Sequence, residues 1–278
     1  MAKAADLLAG DYSLVATNVP FKEVKQLVPS LQEHIASHFA DGKVNLATTF
    51  VLRISEFLAA GGTAGIVTLH EWLFLKTYTP TRKALLKRTQ WNALADIGEH
   101  GFASPQAAGA FTALIVFSQH RPTSDSLYAG WDVTGEKTPQ TKRDKLLSDP
   151  AKLVPQLDQL KNPDARIGFA SASSLPLLSE YAGSFVGLQN GDTPRFVYVF
   201  WEFPHRLDGW EFFQLPCDTC KPYCGREGML RWEDGRGTLA TSPLAYIKGR
   251  EAWGRVGVAV RQTRSLPATL YEGHLYDQ

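Results

Sequence analysis

An amide side chain, a proline and an aromatic ring follow one another directly after a short apolar segment. They belong to Asn18, Val19, Pro20 and Phe21, and the apolar run 12–17 before them ends in a predicted buried strand. The exocyclic amine of adenine is a poor nucleophile because its lone pair is delocalised into the ring. The Asn18 side-chain oxygen and the Val19 carbonyl would stabilise the charge that develops on such an amine during methyl transfer.

Phe21 completes this pattern with a ring that could stack on a base flipped out of the duplex. The alternative is an ordinary strand followed by a turn that contains proline, because prolines often follow strands. Four residues make a short motif, and both interpretations stay open on these residues alone.

Five further segments occur in an order seen in one protein family. They are residues 45–50 (NLATTF), 61–75 (GGTAGIVTLHEWLFL), 160–166 (LKNPDAR), 187–196 (GLQNGDTPRF) and 252–254 (AWG). With residues 18–21, they make the chain resemble the large adenine-N6 DNA methyltransferases of BREX-type anti-phage systems and related restriction-modification enzymes. The resemblance covers nearly the whole chain. It implies a site-specific methyltransferase that depends on S-adenosylmethionine and binds double-stranded DNA.

Composition is that of a folded protein with an ordinary core, because 44% of the 278 residues are hydrophobic. No apolar stretch has the length of a membrane span, and no secretory signal begins the chain, so we expect a cytoplasmic protein. The net charge of +1 gives no bulk attraction to nucleic acid. Residues 221–264 are locally basic, which fits phosphate contact, although a solvated face is the alternative.

Periodicity predicts an α/β fold in which the first 120 residues run β-α-β-α-β-β. Strands are predicted at 15–18, 65–69, 92–97 and 111–118, and helices within 21–39, 46–60 and 72–87. We expect residues 1–121 to form the C-terminal half of a methyltransferase catalytic domain, a partial Rossmann-like sheet that contains the amine-binding residues. Residues 122–170 are predicted to be a polar connector, and residues 171–278 an α+β or β-rich target-recognition domain.

Methyltransferases of this class bind S-adenosylmethionine at a Gly-rich turn between a strand and a helix. No such unit precedes Asn18, and the Gly-containing stretches 59–62, 234–237 and 254–257 are predicted to be turns. We therefore expect another chain or segment to carry the cofactor-binding half, unless that half has been lost.

The resemblance also implies residues beside the cofactor. It places Phe50 against the adenine ring of S-adenosylmethionine, with a core Phe as the alternative. Asn45 stands where an acidic residue is frequent in the family, and Val19 stands where proline is commoner. Valine in place of proline at position 19 matters little if only the backbone carbonyl of Val19 contacts the substrate amine.

The C-terminal region offers candidate DNA contacts. Gln189, Asp192 and Arg195 are expected to contact DNA. Arg195 follows the predicted turn Gln189 to Asp192 and is the expected base reader, because a guanidinium can bond the edge of guanine. Arg261 and Arg264 lie in the basic segment and are expected to bind phosphates.

Three cysteines and a histidine lie close together in the sequence. Cys217, Cys220 and Cys224 with His205 could form a zinc site, but reduced thiols are the favoured interpretation, with no metal. His70, next to Glu71, is interpreted as structural or adjacent to the cofactor.

Two functional alternatives remain beside a methyltransferase segment. One is a non-catalytic DNA-binding or assembly subunit that lost cofactor binding. The other is methylation of RNA or of a protein amide, which the long recognition-like region disfavours.

Overall fold

The computed structural model describes residues 2–104, 107, 109–169, 175–205, 207–262 and 266–277. The chain divides into two compact units, Met1–Ser174 (unit 1) and Leu175–Gln278 (unit 2). Within these described ranges no helix combines the length and apolar character needed to cross a membrane.

A six-stranded mixed sheet forms the centre of unit 1. Its strands are β1 (Tyr12–Asn18), β2 (Leu58–Leu69), β3 (Gln90–Gly98), β4 (Thr112–Ser118), β5 (Leu127–Asp132) and β6 (Lys152–Pro155). They lie in the order β1-β2-β4-β3-β5-β6. The pairs β1·β2 and β3·β5 are parallel and the other pairs are antiparallel. The predicted α/β class with a Rossmann-like sheet is confirmed.

The described part of unit 1 contains the α-helices α1 (Ala2–Ala9), α2 (Pro29–His38), α3 (Leu46–Phe57), α4 (Thr79–Arg88) and α5 (Pro139–Ser148). The predicted helix over 72–87 is wrong in its first half, where two short 3₁₀ turns precede α4. Pro80 explains this difference, because it lies in the first turn of α4, where no N–H bond within the helix is needed. Inside a longer helix it would remove the hydrogen bond to the carbonyl of Lys76 and clash with that carbonyl.

The helix predicted over 46–60 ends three residues early, and β2 begins at Leu58. The glycines expected to stop the helix instead serve the pairing of β2 with β1. Gly61 has a φ of +76°, and a Cβ atom on Gly62 would lie 2.6 Å from the Tyr12 carbonyl oxygen. The register between the strands shifts at this point, so the close approach of the two backbones requires glycine.

Three aromatic side chains contact one another in the main core of unit 1. Trp72 contacts Trp91 with ring centroids 5.8 Å apart, and Trp91 contacts Tyr128 at 5.4 Å. All three side chains are buried. They come from the segment after β2, from β3 and from β5, so this contact joins the first half of unit 1 to the second.

The region predicted as a connector, residues 122–170, belongs to the sheet. It provides β5, β6 and α5, and the Gln156 side chain binds three backbone groups of the preceding region. Its Oε1 accepts from the Trp91 N–H at 2.8 Å, and its Nε2 donates to the Leu86 and Thr89 carbonyls at 3.0 and 2.7 Å. The prediction of a boundary at 121 is therefore wrong, because polar residues that look solvated in the sequence are buried.

Lys142 on α5 is another polar residue of this region that is buried. Its Nζ donates to the Ile97 carbonyl at 2.7 Å and to the Val133 carbonyl at 2.9 Å, at the ends of β3 and β5. Burial lowers the pKa of Lys142 below its usual value. The two carbonyl dipoles hold this side chain at the carboxyl ends of the parallel pair.

Arg82 is the most deeply buried cation of unit 1 among the described residues, with no exposed surface. Its guanidinium donates to the carbonyls of Trp72 at 2.6 Å, Leu75 at 2.8 Å and Asp164 at 2.8 Å. Burial lowers the pKa of Arg82 to about 10. The side chain thereby fastens α4 to the turns after β2 and to the segment around residue 164.

The strands of unit 2 are short. Four of them, β7 (Val197–Val199), β8 (Trp210–Gln214), β9 (Gly228–Arg231) and β12 (Leu275–Tyr276), form a sheet in the order β12-β8-β9-β7. A separate pair consists of β10 (Gly257–Val260) and β11 (Ala268–Tyr271), and a short helix α6 (Thr193–Phe196) precedes β7. The predicted β-rich texture is confirmed, and the compact unit begins four residues after the predicted position 171.

Replacing Arg82 by Met should destabilise unit 1 by about 3 kcal/mol or more, because each buried acceptor left unpaired costs about 1–3 kcal/mol. Urea unfolding followed by circular dichroism measures this loss. Arg88→Met is the matched control. Arg88 is on the same helix, but its side chain is 68% exposed and its contact with Asp41 is 3.5 Å long. We expect a change below about 1 kcal/mol there. Equal effects of the two substitutions would contradict the anchoring role of Arg82.

Candidate functional site

The tetrapeptide 18–21 lies at the carboxyl end of β1, on the side of the sheet where several other strands also end. Asn18 pairs with Val67 in the parallel β1·β2 register. The carboxyl ends of β2, β3 and β5 and the start of antiparallel β4 lie at the same edge of the sheet. In open α/β sheets, ligands bind in the crevice outside the carboxyl ends of the strands.

Val19 is fixed while its carbonyl stays available. The Val19 N–H donates to the Val67 carbonyl at 3.2 Å, and its side chain is buried with 3% exposure. No described donor bonds the Val19 carbonyl oxygen. Asn18 is exposed, and its side-chain amide makes no hydrogen bond to another described residue. Two acceptors thus lie on adjacent residues at the end of one strand.

The chain after Phe21 is tied to the region that begins α3. The Leu46 N–H donates to the Lys22 carbonyl at 2.7 Å, and the Val24 N–H donates to the Val44 carbonyl at 3.2 Å. These bonds limit the movement of the turn that carries Phe21. The Phe21 ring remains 36% exposed, as a stacking role requires.

Asn45 performs a structural task at the start of α3. Its side-chain Oδ1 accepts from the Ala47 N–H at 2.9 Å, so Asn45 is the N-cap of the helix, and it is buried. A cofactor hydroxyl would have to compete with this bond. The arrangement does not fit Asn45 as a cofactor ligand.

Phe50 lies one turn further along α3 and points outward. Its side chain is 41% exposed, whereas Thr49 and Val51 beside it are buried. The alternative of a core Phe is therefore wrong. The Phe50 ring at this position is therefore accessible to solvent.

His70 follows β2 and forms a second cluster at the same edge of the sheet. Its Nδ1 lies 3.1 Å from Asp96 Oδ1 on β3, and both side chains are largely buried. The imidazole stacks on Phe111 with centroids 5.1 Å apart and meets Phe74 edge-on at 4.9 Å. The ring is held on the side of β4 and β3, whereas Asn18 lies on the other side of β2. This geometry supports the structural interpretation of His70.

The pairing of His70 with Asp96 has no direct sign in the sequence. The two residues are 26 positions apart, and only the insertion of β4 between β2 and β3 brings them to one edge. An indirect signal lies in the apolar run of β3, which Asp96 interrupts with a charge.

The cysteines of unit 2 do not form the alternative zinc site. Cys217 and Cys224 form a disulfide with their Cα atoms 5.8 Å apart, and Cys220 is an exposed free thiol. The prediction of reduced thiols is thus corrected for two of the three residues. His205 is exposed, and the described part of the chain contains no group of three or more His, Cys, Asp or Glu arranged to hold a metal ion.

Arg195 is exposed at the end of α6, with its guanidinium carbon 5.0 Å from the Phe196 ring centroid. The preceding turn is held locally, because Asn190 Oδ1 accepts from the Asp192 N–H at 2.9 Å. Gln189 exchanges two backbone hydrogen bonds with Tyr246. Although Arg195 and Asp192 are both described, no ion pair joins them.

Arg261 and Arg264 are the two other arginines that were expected to contact DNA. The Arg261 guanidinium contacts Asp218 and its side chain is 23% exposed, so a phosphate would have to displace a carboxylate. Arg264 lies outside the residues that the structure describes.

No protein-family model matches the chain, and no curated protein matches it. Among solved structures, the chain is similar to the ATP-dependent Type ISP restriction-modification enzyme LlaBIII bound to DNA. The TM-score is 0.59 at 8% identity, over 99% of this chain and 24% of that one.

Two further solved structures are similar over shorter stretches. A type I restriction-modification complex matches with a TM-score of 0.46 at 17% identity, over 62% of this chain and 41% of that chain. The methyltransferase subunit of a type I system from Streptococcus thermophilus matches with 0.40 at 15% identity, over 55% and 36%. The chain spans less than half the length of each of these three proteins. At such low identity the likeness to LlaBIII shows the fold, and that fold is the one found in a part of a restriction-modification enzyme.

Proposed function

We propose that the chain carries the amine-binding part of a site-specific DNA adenine-N6 methyltransferase of a BREX-type or related restriction-modification system. The observation that carries this proposal is the pair of unengaged acceptors at the end of β1, the Asn18 amide oxygen and the Val19 carbonyl. The fold shared with a DNA-bound restriction-modification enzyme supports it.

The chemistry assigned to these residues is electrostatic. The two oxygens would accept hydrogen bonds from the two N–H groups of the adenine amine and draw its nitrogen toward tetrahedral geometry, so that its lone pair becomes available. Val19 is anchored through its N–H and its buried side chain. Its carbonyl therefore needs little reorganisation when charge develops on the amine.

Phe21 provides the stacking surface for the extruded adenine. Its exposed ring follows Pro20, whose fixed φ limits the conformations of the turn. A base that leaves the duplex loses its stacking, and an aromatic face offsets part of that cost.

S-adenosylmethionine is the proposed methyl donor, and when bound it supplies an electrophilic methyl group. From this chain, the exposed Phe50 ring would pack against its adenine. Asn45 would contribute only by fixing the start of α3. The remaining contacts to the cofactor would come from another chain or segment, and β1, an edge strand of the described sheet, is where such a segment could join.

Unit 2 is assigned to double-stranded DNA in this proposal. The second candidate function is a DNA-binding or assembly subunit without catalysis. The engaged side chain of Asn45 favours it, because the site then lacks one of the cofactor contacts that the family resemblance implies.

Substituting Asn18 by Ala should slow methyl transfer by about 100- to 1,000-fold, the loss typical for one preorganised polar partner of the reacting group. Single-turnover incorporation of labelled methyl groups by the assembled system measures this. Asn18→Asp keeps an acceptor at the same position and should retain much more activity than Asn18→Ala. DNA affinity should be unchanged in both variants. A parallel loss of DNA binding, or an unaffected rate, would contradict the assignment.

Replacing Phe50 by Ala should weaken S-adenosylmethionine binding to the assembled system by about 1–3 kcal/mol, the range for loss of one aromatic stacking partner of a base. Isothermal titration gives the affinity directly. Leu147→Ala removes an exposed apolar side chain from another helix of unit 1 and should have no effect. Unchanged affinity in Phe50→Ala would remove this residue from the cofactor pocket.

A further inference from the structure

A groove in unit 2 runs along one edge of the two-stranded pair β10·β11. Its volume is about 790 Å³. All four residues of β10, Gly257 to Val260, line it, whereas β11 contributes only Thr269 and Tyr271. Neighbouring residues of a strand point to opposite faces, so the groove touches both faces of β10 but only one face of β11. It therefore extends around the edge of β10 that lies away from β11.

The backbone of β10 has hydrogen-bonding groups at this edge that no described residue uses. On β11, the Ala268 and Leu270 N–H groups donate to the segment 220–222, at 3.4 and 3.1 Å, and so point away from β10. Their direct partners in the antiparallel register are Val260 and Val258. In an antiparallel pair that exchanges no hydrogen bonds, both residues direct their N–H and C=O groups outward. The N–H and C=O groups of Val258 and Val260 thus face the groove.

A row of outward N–H and C=O groups is the surface to which another extended chain adds as a strand. The inner face of β10 leaves room for the side chains of such a chain, because Gly257 and Ala259 are small. A Cβ atom on Gly257 would meet only Tyr271, at 3.8 Å. Phe185 and Tyr181 also line the groove and are 41% and 74% exposed. These rings favour apolar side chains in the added strand.

Charge indicates what the ends of the added strand contain. The charged residues that line the groove in the described part of the chain are Arg255, Arg261 and Asp277. Arg261 contacts Asp218, whereas Arg255 is exposed just before β10. An antiparallel strand would bring its C-terminal end to the start of β10. A carboxylate at that end would therefore lie beside the Arg255 guanidinium.

We propose that unit 2 binds an extended peptide segment of a partner protein, added as an antiparallel strand to the free edge of β10. The backbone groups of Val258 and Val260 bond the segment, and every second side chain enters the groove near Phe185. A carboxylate near the C-terminal end of the segment pairs with Arg255. This inference goes beyond the proposed function, because it requires neither DNA nor the amine-binding residues.

Selection from a displayed library of random peptides by the purified full chain is the first test. The enriched peptides should contain apolar residues at every second position and Asp or Glu near the C-terminal end. Selection by the Arg255→Glu variant should replace that acidic residue by Lys or Arg. A wild-type chain that enriches no peptide, or one that enriches peptides without the alternation, would overturn the inference.

Val258→Pro tests the backbone bonds, because proline removes an N–H that points outward and leaves the bonds to β11 in place. Affinity for the best selected peptide should fall by about 5- to 150-fold, the range for one backbone hydrogen bond left unmade. Val258→Thr is the matched control, since it keeps the N–H in a β-branched residue, and it should bind as the wild type does. Equal affinity of the proline variant and the wild type would contradict strand addition.

A further measurement uses the unaltered chain and is insensitive to misfolding of a variant. The selected peptide is synthesised with a single N-methyl group at each backbone position in turn. Only every second N–H of an added strand bonds β10, so the loss of affinity should alternate along the peptide. Losses that do not alternate would overturn the inference.

Duplex DNA is the competing occupant of this groove. If Arg255→Glu and Val258→Pro weaken binding of a duplex and leave peptide binding unchanged, the groove belongs to a DNA surface and the inference is wrong. A chain that binds the selected peptides with the alternating pattern but binds no duplex would support this inference and contradict the assignment of unit 2 to DNA.

Discussion

The parallel pairing of β1 with β2 is the constraint on which the candidate site depends. It brings the end of β1 to the edge where β2, β3 and β5 also end, and it binds the Val19 N–H to the Val67 carbonyl. With its N–H used and its side chain buried, Val19 has only its carbonyl left to offer. The side chain of Asn18 lies next to it, exposed. The same pairing demands Gly62, because any Cβ there would collide with the Tyr12 carbonyl.

Buried polar side chains then hold the rest of unit 1 in place behind this edge. Arg82 joins α4 to the turns after β2, Gln156 joins β3 to the end of α4, and Lys142 bonds the backbone at the ends of β3 and β5. Each of them bonds backbone carbonyls that would otherwise be buried without donors. Such contacts are directional, so they fix the relative positions of elements more narrowly than apolar packing does.

Local patterns are sufficient to predict several elements but not the interactions between them. The apolar runs predict the positions of β1, β3 and β4, and the aromatic texture predicts the β-rich unit 2. The expectation that β1 is buried is wrong, because β1 lies at the edge of the sheet and none of its residues is buried. The capping role of Asn45 could have been predicted, because asparagine is among the strongest N-cap residues, but the family resemblance points to the cofactor instead. The sheet membership of 122–170 could not be predicted, since Gln156 and Lys142 look like solvated residues until their partners are known.

For the candidate site residues too, the sequence identifies the residue types but not the contacts that they make. Phe50 can be distinguished from a core residue only once its outward position on α3 is known, and the contact of Arg261 with Asp218 spans 43 residues of sequence. The pairing of His70 with Asp96 likewise depends on strand order. Composition and spacing identify which residues are chemically capable, whereas topology decides which of them meet.

The most direct test of the central claim is a map of modified bases in the DNA of cells that carry the complete system with this chain. Long-read sequencing locates N6-methyladenine at single positions. We expect N6-methyladenine within one recurring sequence motif when the chain is intact, and its disappearance in cells that carry the Asn18→Ala variant. Methylation that persists in the variant cells, or a modification found on cytosine instead, would contradict the assignment of Asn18 and Val19 to the adenine amine.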